Sequence, residues 1–339
     1  MIHLHSSKCQ APCGASHITS HTSARYADGI ELLNVGAMDK LNQPLSNIAP
    51  LSRLGLDRYV TPEDFLPQTV LGSGGAIEYA RAATAASLDA VRFHGPPIRV
   101  CYGPDPANVL DIFAEEGQKD LPVLVFFHGG AWTAGYLWWS GFMAPAIQRL
   151  PAILVAPTYR LAPGSRFPAP LADVERALEW VRANIGQFGG DPNRLVIGGH
   201  SAGAHLASLC ALSRPEAMSG VLACLPLSAS FDLRYPNPAP GSGEERVYKY
   251  LLNHSQDDTA ASPICFAQNA AIPFHIIIGE LDFDRVKRTS MEFYDLMTSM
   301  QKLCTLTSLE GYNHFDVHLA LRDPLHTWYK KIERIMYDA

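Results

Sequence analysis

The chain has 339 residues, of which 47% are apolar and 18% charged. That balance supports a sizeable core and excludes global disorder, and the length suits one large domain with an appendage better than two full-sized ones. Lys and Arg number 27 against 33 Asp and Glu, a net charge of −6. With no general basic field, nucleic acid is excluded as the main partner.

Residues 1–60 are rich in Ser, His, Asn and Gly, show little periodicity, and predict an irregular arm. Residues 61–339 predict a single domain with an insertion over 232–262. No apolar run reaches the roughly 18–20 residues that span a bilayer, and the N-terminus lacks the apolar stretch of a secretory leader. No membrane partner is therefore expected. Cysteines at 9, 13, 101, 210, 224, 265 and 304 are odd in number and scattered, and Cys210 and Cys224 are set in apolar surroundings. They predict reduced core thiols in a cytoplasmic protein, not a disulfide framework. His3, His5, Cys9, Cys13, His17 and His21 invite a zinc reading. Closed zinc sites use tighter cysteine pairs joined to a compact fold, so no metal is expected.

Taken in order, residues 61–90 predict a helix that starts at Pro62-Glu63-Asp64 and is sustained by alanines between 76 and 86. From residue 97 a strand–helix alternation begins. Strands are expected at 98–101 and 109–113, and then at 123–127, a short continuous apolar run of the kind buried on both faces. Further strands are expected at 153–156, 195–197, 221–227, 274–278 and 303–309. Helices are expected at 169–188, 202–212, 286–300 and 325–337, the first with apolar residues at 174, 177, 178, 181 and 185. This alternation predicts an α/β fold, with a mostly parallel central sheet and helices on both faces. The Pro/Gly-rich stretch 235–243, with a short helix expected over 244–252, interrupts the pattern as a small cap or insertion. Such insertions sit over the C-terminal edge of a sheet, where ligands bind.

Gly199-His200-Ser201-Ala202-Gly203 follows a strand and opens a helix. A serine on such a turn exposes its Oγ at the cost of a strained backbone, and the flanking glycines leave room for close packing. The new helix aims its N-terminus at a developing oxyanion. Strand 123–127 ends in His128-Gly129-Gly130-Ala131-Trp132, where two glycines let backbone N–H groups turn inward. The oxyanion hole is accordingly assigned to Gly129, Gly130 and Ala202, with His128 supporting the loop by hydrogen bonding. The acid and the base should follow the serine in that order. His314, after the last strand, is the best-placed base, with His318 its nearest rival. After strand 274–278, Asp282 is the preferred acid, ahead of Asp284 and Glu280. The catalytic set is thus Ser201, Asp282 and His314.

Together HGGAW, GHSAGAH, the Phe231-Asp-Leu segment, GELDFDRVKRTSMEFY and NHF resemble the α/β-hydrolase superfamily. Within it they are most similar to the arylformamidase (kynurenine formamidase) group. The resemblance runs from about residue 108 to the C-terminus, and the Gly-x-x-Asp then Ser-x-x-Phe-Tyr spacing supports Asp282. Ala131 and Thr289 depart from that group, which usually carries an aromatic and a glutamine there. The resemblance implies a cofactor-free serine hydrolase acting on an N-formyl or other N-acyl amide of a small aromatic molecule. A broad carboxylesterase acting on short-chain esters is the alternative. Trp132 and Phe231 are candidate substrate-binding walls, whereas Trp138 and Trp139 are expected to pack the loop. Arg160, Arg234 and Arg285 are weaker candidates for a substrate carboxylate. A homodimer is left open.

Overall fold

Seven consecutive residues of the third strand, Leu121–Phe127, show how the sheet is built. From Val123 to Phe127 every side chain is fully buried. The pleat sends Val123, Val125 and Phe127 to one face, where they join a core cluster with Leu171, Val174 and Leu178. Phe126 points the opposite way and meets Trp328 edge-on at 6.1 Å. Both faces are therefore covered, and each buried Val, Leu or Phe contributes roughly 1.5–3 kcal/mol.

The computed structural model describes Gln68 and residues 74–338. The expected arm, the Cys/His cluster and the start of the first expected helix lie outside the described residues. In chain order the strands are β1 (Ile98–Cys101), β2 (Val109–Phe113), β3 (Leu121–Phe127), β4 (Ile153–Pro157), β5 (Gly190–His200), β6 (Val221–Leu227), β7 (Phe274–Leu281) and β8 (Cys304–Asn313). The helices are α1 (Gly74–His94), α2 (Ala144–Gln148), α3 (Ala169–Asn184), α4 (Ala202–Ser213), α5 (Gly243–Arg246), α6 (Asp284–Ser299), α7 (Asp316–Leu319) and α8 (Thr327–Tyr337). No helix among the described residues is long and apolar enough to cross a membrane.

The strands form one 8-stranded sheet in the order β1-β2-β4-β3-β5-β6-β7-β8. β3 pairs parallel with β4 and β5, and β5 through β8 continue parallel. β1 with β2, and β2 with β4, run antiparallel. The link from β1 to β2 is too short for a helical crossover, so the chain turns back on itself there. The sheet is therefore mostly parallel, as the alternation predicts. Its C-terminal edge gathers the residues that follow β3, β5, β6, β7 and β8.

Between β6 and β7, residues 232–262 hold α5, a single π-helical turn at Val247–Leu251 and a 3-10 turn at Ser255–Asp258. Arg166 fastens this stretch to the body by donating to the main-chain carbonyls of Leu252 and Lys249, and Phe167 N–H donates to that of Leu251.

Candidate active site

Ser201 sits between the end of β5 and the start of α4 at φ 52°, ψ −114°. This conformation is unfavourable for a residue with a Cβ and is held by its surroundings. A Cβ on Gly199 would come 2.6 Å from both the carbonyl carbon of Gly203 and the oxygen of Phe127, so the turn closes only around glycine. Ser201 gives α4 no side-chain cap, and Ala202 opens the helix beside the hydroxyl.

His314 follows β8, and Asp282 follows β7. His314 Nε2 lies 2.9 Å from Ser201 Oγ, and its Nδ1 lies 2.7 Å from Asp282 Oδ1. An ionised carboxylate only accepts, so Nδ1 carries the proton and Nε2 is free to accept from the serine. Asp282 Oδ1 also accepts from Phe283 N–H at 2.8 Å, and Oδ2 accepts from Ser228 Oγ at 2.5 Å. Burial by itself would raise the Asp282 pKa. The hydrogen bond and charge of His314, with Ser228 and the Phe283 amide, outweigh it and hold the carboxyl below its usual range.

The rival groups are committed elsewhere. His318 is buried and bonded to the Tyr79 hydroxyl at 2.8 Å. Glu280 accepts from Gly311 N–H at 2.9 Å, and Asp284 is fully exposed at the start of α6.

Gly129 lies against the nucleophile. A Cβ there would be 3.3 Å from Ser201 Cβ and 3.1 Å from the His200 carbonyl oxygen. Gly130 takes φ 127°, which a larger residue rarely adopts. His128 is buried, stacks on Tyr159 at 4.5 Å, donates from Nδ1 to the Gly129 carbonyl at 2.7 Å and accepts at Nε2 from Thr158 Oγ1. Its neutral ring supports the loop, and burial lowers its pKa to about 4. Of the predicted donors, Gly129 thus packs against Ser201, Ala202 follows it at the start of α4, and Gly130 is the next residue of the same loop.

The two predicted walls fare differently. Phe231 is fully buried and stacks on Phe293 at 4.2 Å, so it is a core residue, not a substrate wall. Phe231 turns toward α6, where its N–H also donates to Thr289 Oγ1 at 3.2 Å, which its position just past a strand end did not reveal. Trp132 is 9% exposed, and its indole N–H is already used by His205 Nδ1 at 3.1 Å. Trp138 and Trp139 are buried, Trp138 being stacked on Tyr136. Arg160 is held by Asp173 and Arg234 by Asp232, while Arg285 lies over the Phe283 ring at 4.6 Å.

Sequence reasoning missed several supporting groups. His200 donates from Nε2 to the main-chain carbonyl of His314 at 2.8 Å. Tyr79 of α1 stacks on Phe315, the neighbour of His314, at 5.4 Å. Gln68 bonds both the N–H and the carbonyl of Gly135. These contacts are between residues far apart in sequence, and only the serine after β6, Ser228, lay where a strand-end rule would have found it. Among the described residues no cluster of three or more His, Cys, Asp or Glu side chains is set to hold a metal ion.

Residues 124–318 match a family model described as the alpha/beta hydrolase fold. Esterase LipC of Mycobacterium tuberculosis is 32% identical over 210 residues, covering 59% of this chain and 48% of the relative. A probable isoprenylcysteine alpha-carbonyl methylesterase of Oryza sativa subsp. japonica is 28% identical over 249 residues, covering 67% of this chain and 59% of the relative. The chain thus spans about half the length of the curated relatives it matches. An esterase of Pyrobaculum calidifontis superposes with a TM-score of 0.64 at 19% identity, covering 84% of this chain and 98% of that one. A thermostable carboxylesterase cloned from a metagenomic library superposes with a TM-score of 0.63 at 17% identity, covering 79% and 99%. At those identities the structural likeness establishes the fold.

Proposed function

The chain belongs to the α/β-hydrolase fold family, and on that premise we propose that it is a hydrolase, specifically a serine carboxylesterase acting on esters of small acyl groups. The observation that carries the reading is the unbroken hydrogen-bonded line from Ser201 through His314 to Asp282, lying against the Gly129 turn.

Ser201 Oγ attacks the ester carbonyl carbon while His314 Nε2 takes the hydroxyl proton. Asp282 keeps the imidazole in the required tautomer and stabilises the imidazolium. The carbonyl oxygen becomes an oxyanion facing the N–H groups of Gly129, Gly130 and Ala202, each worth roughly 3–4 kcal/mol in the transition state. Collapse breaks the C–O bond, and His314 returns the proton to the departing alcohol. Water, activated by the same imidazole, then attacks the acyl-enzyme, releases the acid and restores Ser201.

The curated relatives carry esterase names, which favours an ester over an amide and reverses the preference drawn from the sequence alone. The HGGAW and GHSAGAH segments support a second reading, arylformamidase activity on N-formyl anilides. A panel of 4-nitrophenyl esters set against formanilides decides between them. Ester turnover with inert formanilides is the expected result. Turnover of formanilides alone would establish the second reading, and failure of a fluorophosphonate to label Ser201 would end both.

A further inference from the structure

We propose that His205 is a positioning residue of this hydrolase, pinning the indole of Trp132 and through it the strained loop that presents the oxyanion donors. The inference rests on the serine-hydrolase reading above and adds a residue to it.

The loop needs an anchor. Gly130, Ala131 and Trp132 follow one another at φ 127°, 52° and 61°. Glycine tolerates that region, whereas alanine and tryptophan do so only where their surroundings over-determine them. Local turns supply part of the restraint. Thr133 and Ala134 N–H groups donate to the Gly130 carbonyl at 3.1 and 2.9 Å, and Ala162 N–H donates to the Trp132 carbonyl at 2.8 Å. None of these ties the loop to the nucleophile.

His205 does. It lies one turn past Ser201 on α4, and its own N–H donates to the Ser201 carbonyl at 2.9 Å. Its ring is fully buried and stands at 90° to the Trp132 ring, with centroids 5.1 Å apart. The Trp132 indole donates to Nδ1 at 3.1 Å, and Nε2 donates to the Ala261 carbonyl at 2.7 Å. An indole N–H only donates and a carbonyl only accepts, so one tautomer of a neutral ring satisfies both. Burial keeps that ring neutral, bringing its pKa down to about 4 against the opposing effect of the Ala261 bond. One imidazole therefore joins the nucleophile helix, the oxyanion loop and residue 261 of the insertion. A displacement of the loop donors by a fraction of an ångström would weaken the transition state while leaving ground-state binding almost untouched.

The test uses the full chain with a 4-nitrophenyl ester, and compares His205→Leu, His205→Gln, Trp132→Phe and the Leu/Phe double variant by kcat, KM and thermal melting. Leucine removes both hydrogen bonds, while glutamine offers an acceptor and a donor on one planar group. The expected result is a kcat about 100-fold lower for His205→Leu, the size of losing one oxyanion donor, with KM within about 3-fold. His205→Gln recovers most of it, Trp132→Phe shows a loss of similar size, and the double variant loses little more than either single one. A kcat for His205→Leu within about 2-fold of wild type, a loss confined to KM, or losses that multiply in the double variant would overturn the inference. Should His205→Leu fail to fold, Trp132→Phe decides alone, and an unchanged kcat overturns the inference. A wild-type chain that hydrolyses no ester and takes no fluorophosphonate label overturns the hydrolase reading, and this inference with it. Wild-type turnover with an indifferent His205→Leu overturns this inference alone.

Discussion

Ser228 Oγ lies 2.5 Å from Asp282 Oδ2, on the carboxylate oxygen that His314 does not use. Asp282 is therefore held from both sides, and its own orientation is fixed before it orients the imidazole. Ser228→Ala leaves that buried oxygen without its hydroxyl partner. We expect kcat to fall about 10-fold and stability by about 1–3 kcal/mol, read by steady-state kinetics and urea unfolding. An enzyme unchanged in both would show that the contact is incidental.

Three carboxylates compete at the end of β7, Glu280 within it and Asp282 and Asp284 after it, and their surroundings separate them. Asp282 is bonded to His314, whereas the Asp284 side chain is fully exposed. Asp282→Asn should lower kcat by about 10⁴, because an amide does not impose the working tautomer on the imidazole. Asp284→Asn should leave kcat within about 2-fold, the usual outcome for a surface change. If Asp284→Asn proves to be the crippled variant, the assignment of the acid is wrong.

The nucleophile turn stores strain at Ser201, where φ is 52°. Ser201→Ala and Ser201→Gly both lose the hydroxyl and should abolish turnover. Only glycine relieves the backbone, so Ser201→Gly should be the more stable of the two by about 1 kcal/mol. For a domain of this size that corresponds to a Tm difference of roughly 2–4 °C. Equal melting temperatures would argue that the turn is unstrained.

Four buried histidines besides His314 should set the acid limit of the fold. Burial lowers the pKa of His128 and His205 to about 4, that of His200 to about 3, and that of His318 well below the ordinary value, against about 6.5 when unfolded. The sign follows from proton counts. Above about 6.5 both states are neutral there and the stability is fully present. Below it the unfolded chain binds protons that the folded one refuses, and each group removes up to about 1.4 kcal/mol per pH unit until its folded pKa is reached. By about pH 5 the four together remove several kcal/mol, a large part of the roughly 5–15 kcal/mol that a domain possesses. A circular-dichroism titration should show cooperative unfolding between about pH 6 and 4. A Tm that stays level from pH 7 to about 4.5 would contradict this account.

Much of the fold was legible because its signals are local. The run at residues 123–127 reads as a doubly buried strand, and β6 falls at its expected limits, Val221–Leu227. Strand ends read less well. β5 extends from Gly190 to His200, well beyond the apolar residues 195–197, because Gly198 and Gly199 pair with β3 and β6, His200 with β6 and Gly190 with β3. The antiparallel β1–β2–β4 edge was not foreseen, since the periodicity of a strand carries no direction. Phe231 was misjudged because a residue just past a strand end can turn either to the site or to the core, and here Phe293 of α6 supplies the core.

Residue identity along the chain determined which groups carry chemistry. The serine needs glycines two places on either side, the loop after β3 needs glycines to turn its amides, and a histidine and an acid must follow strands that end on the same edge. Each of these is a short-range requirement of backbone geometry. Tertiary structure decided which acid, how the site is braced and which aromatics are spoken for. Asp282 differs from Asp284 only by what faces it, and His205 differs from any helix histidine only because Trp132 and Ala261 arrive from distant segments. Hydrogen-bond partners that come together by folding leave no periodic trace in the segments that supply them.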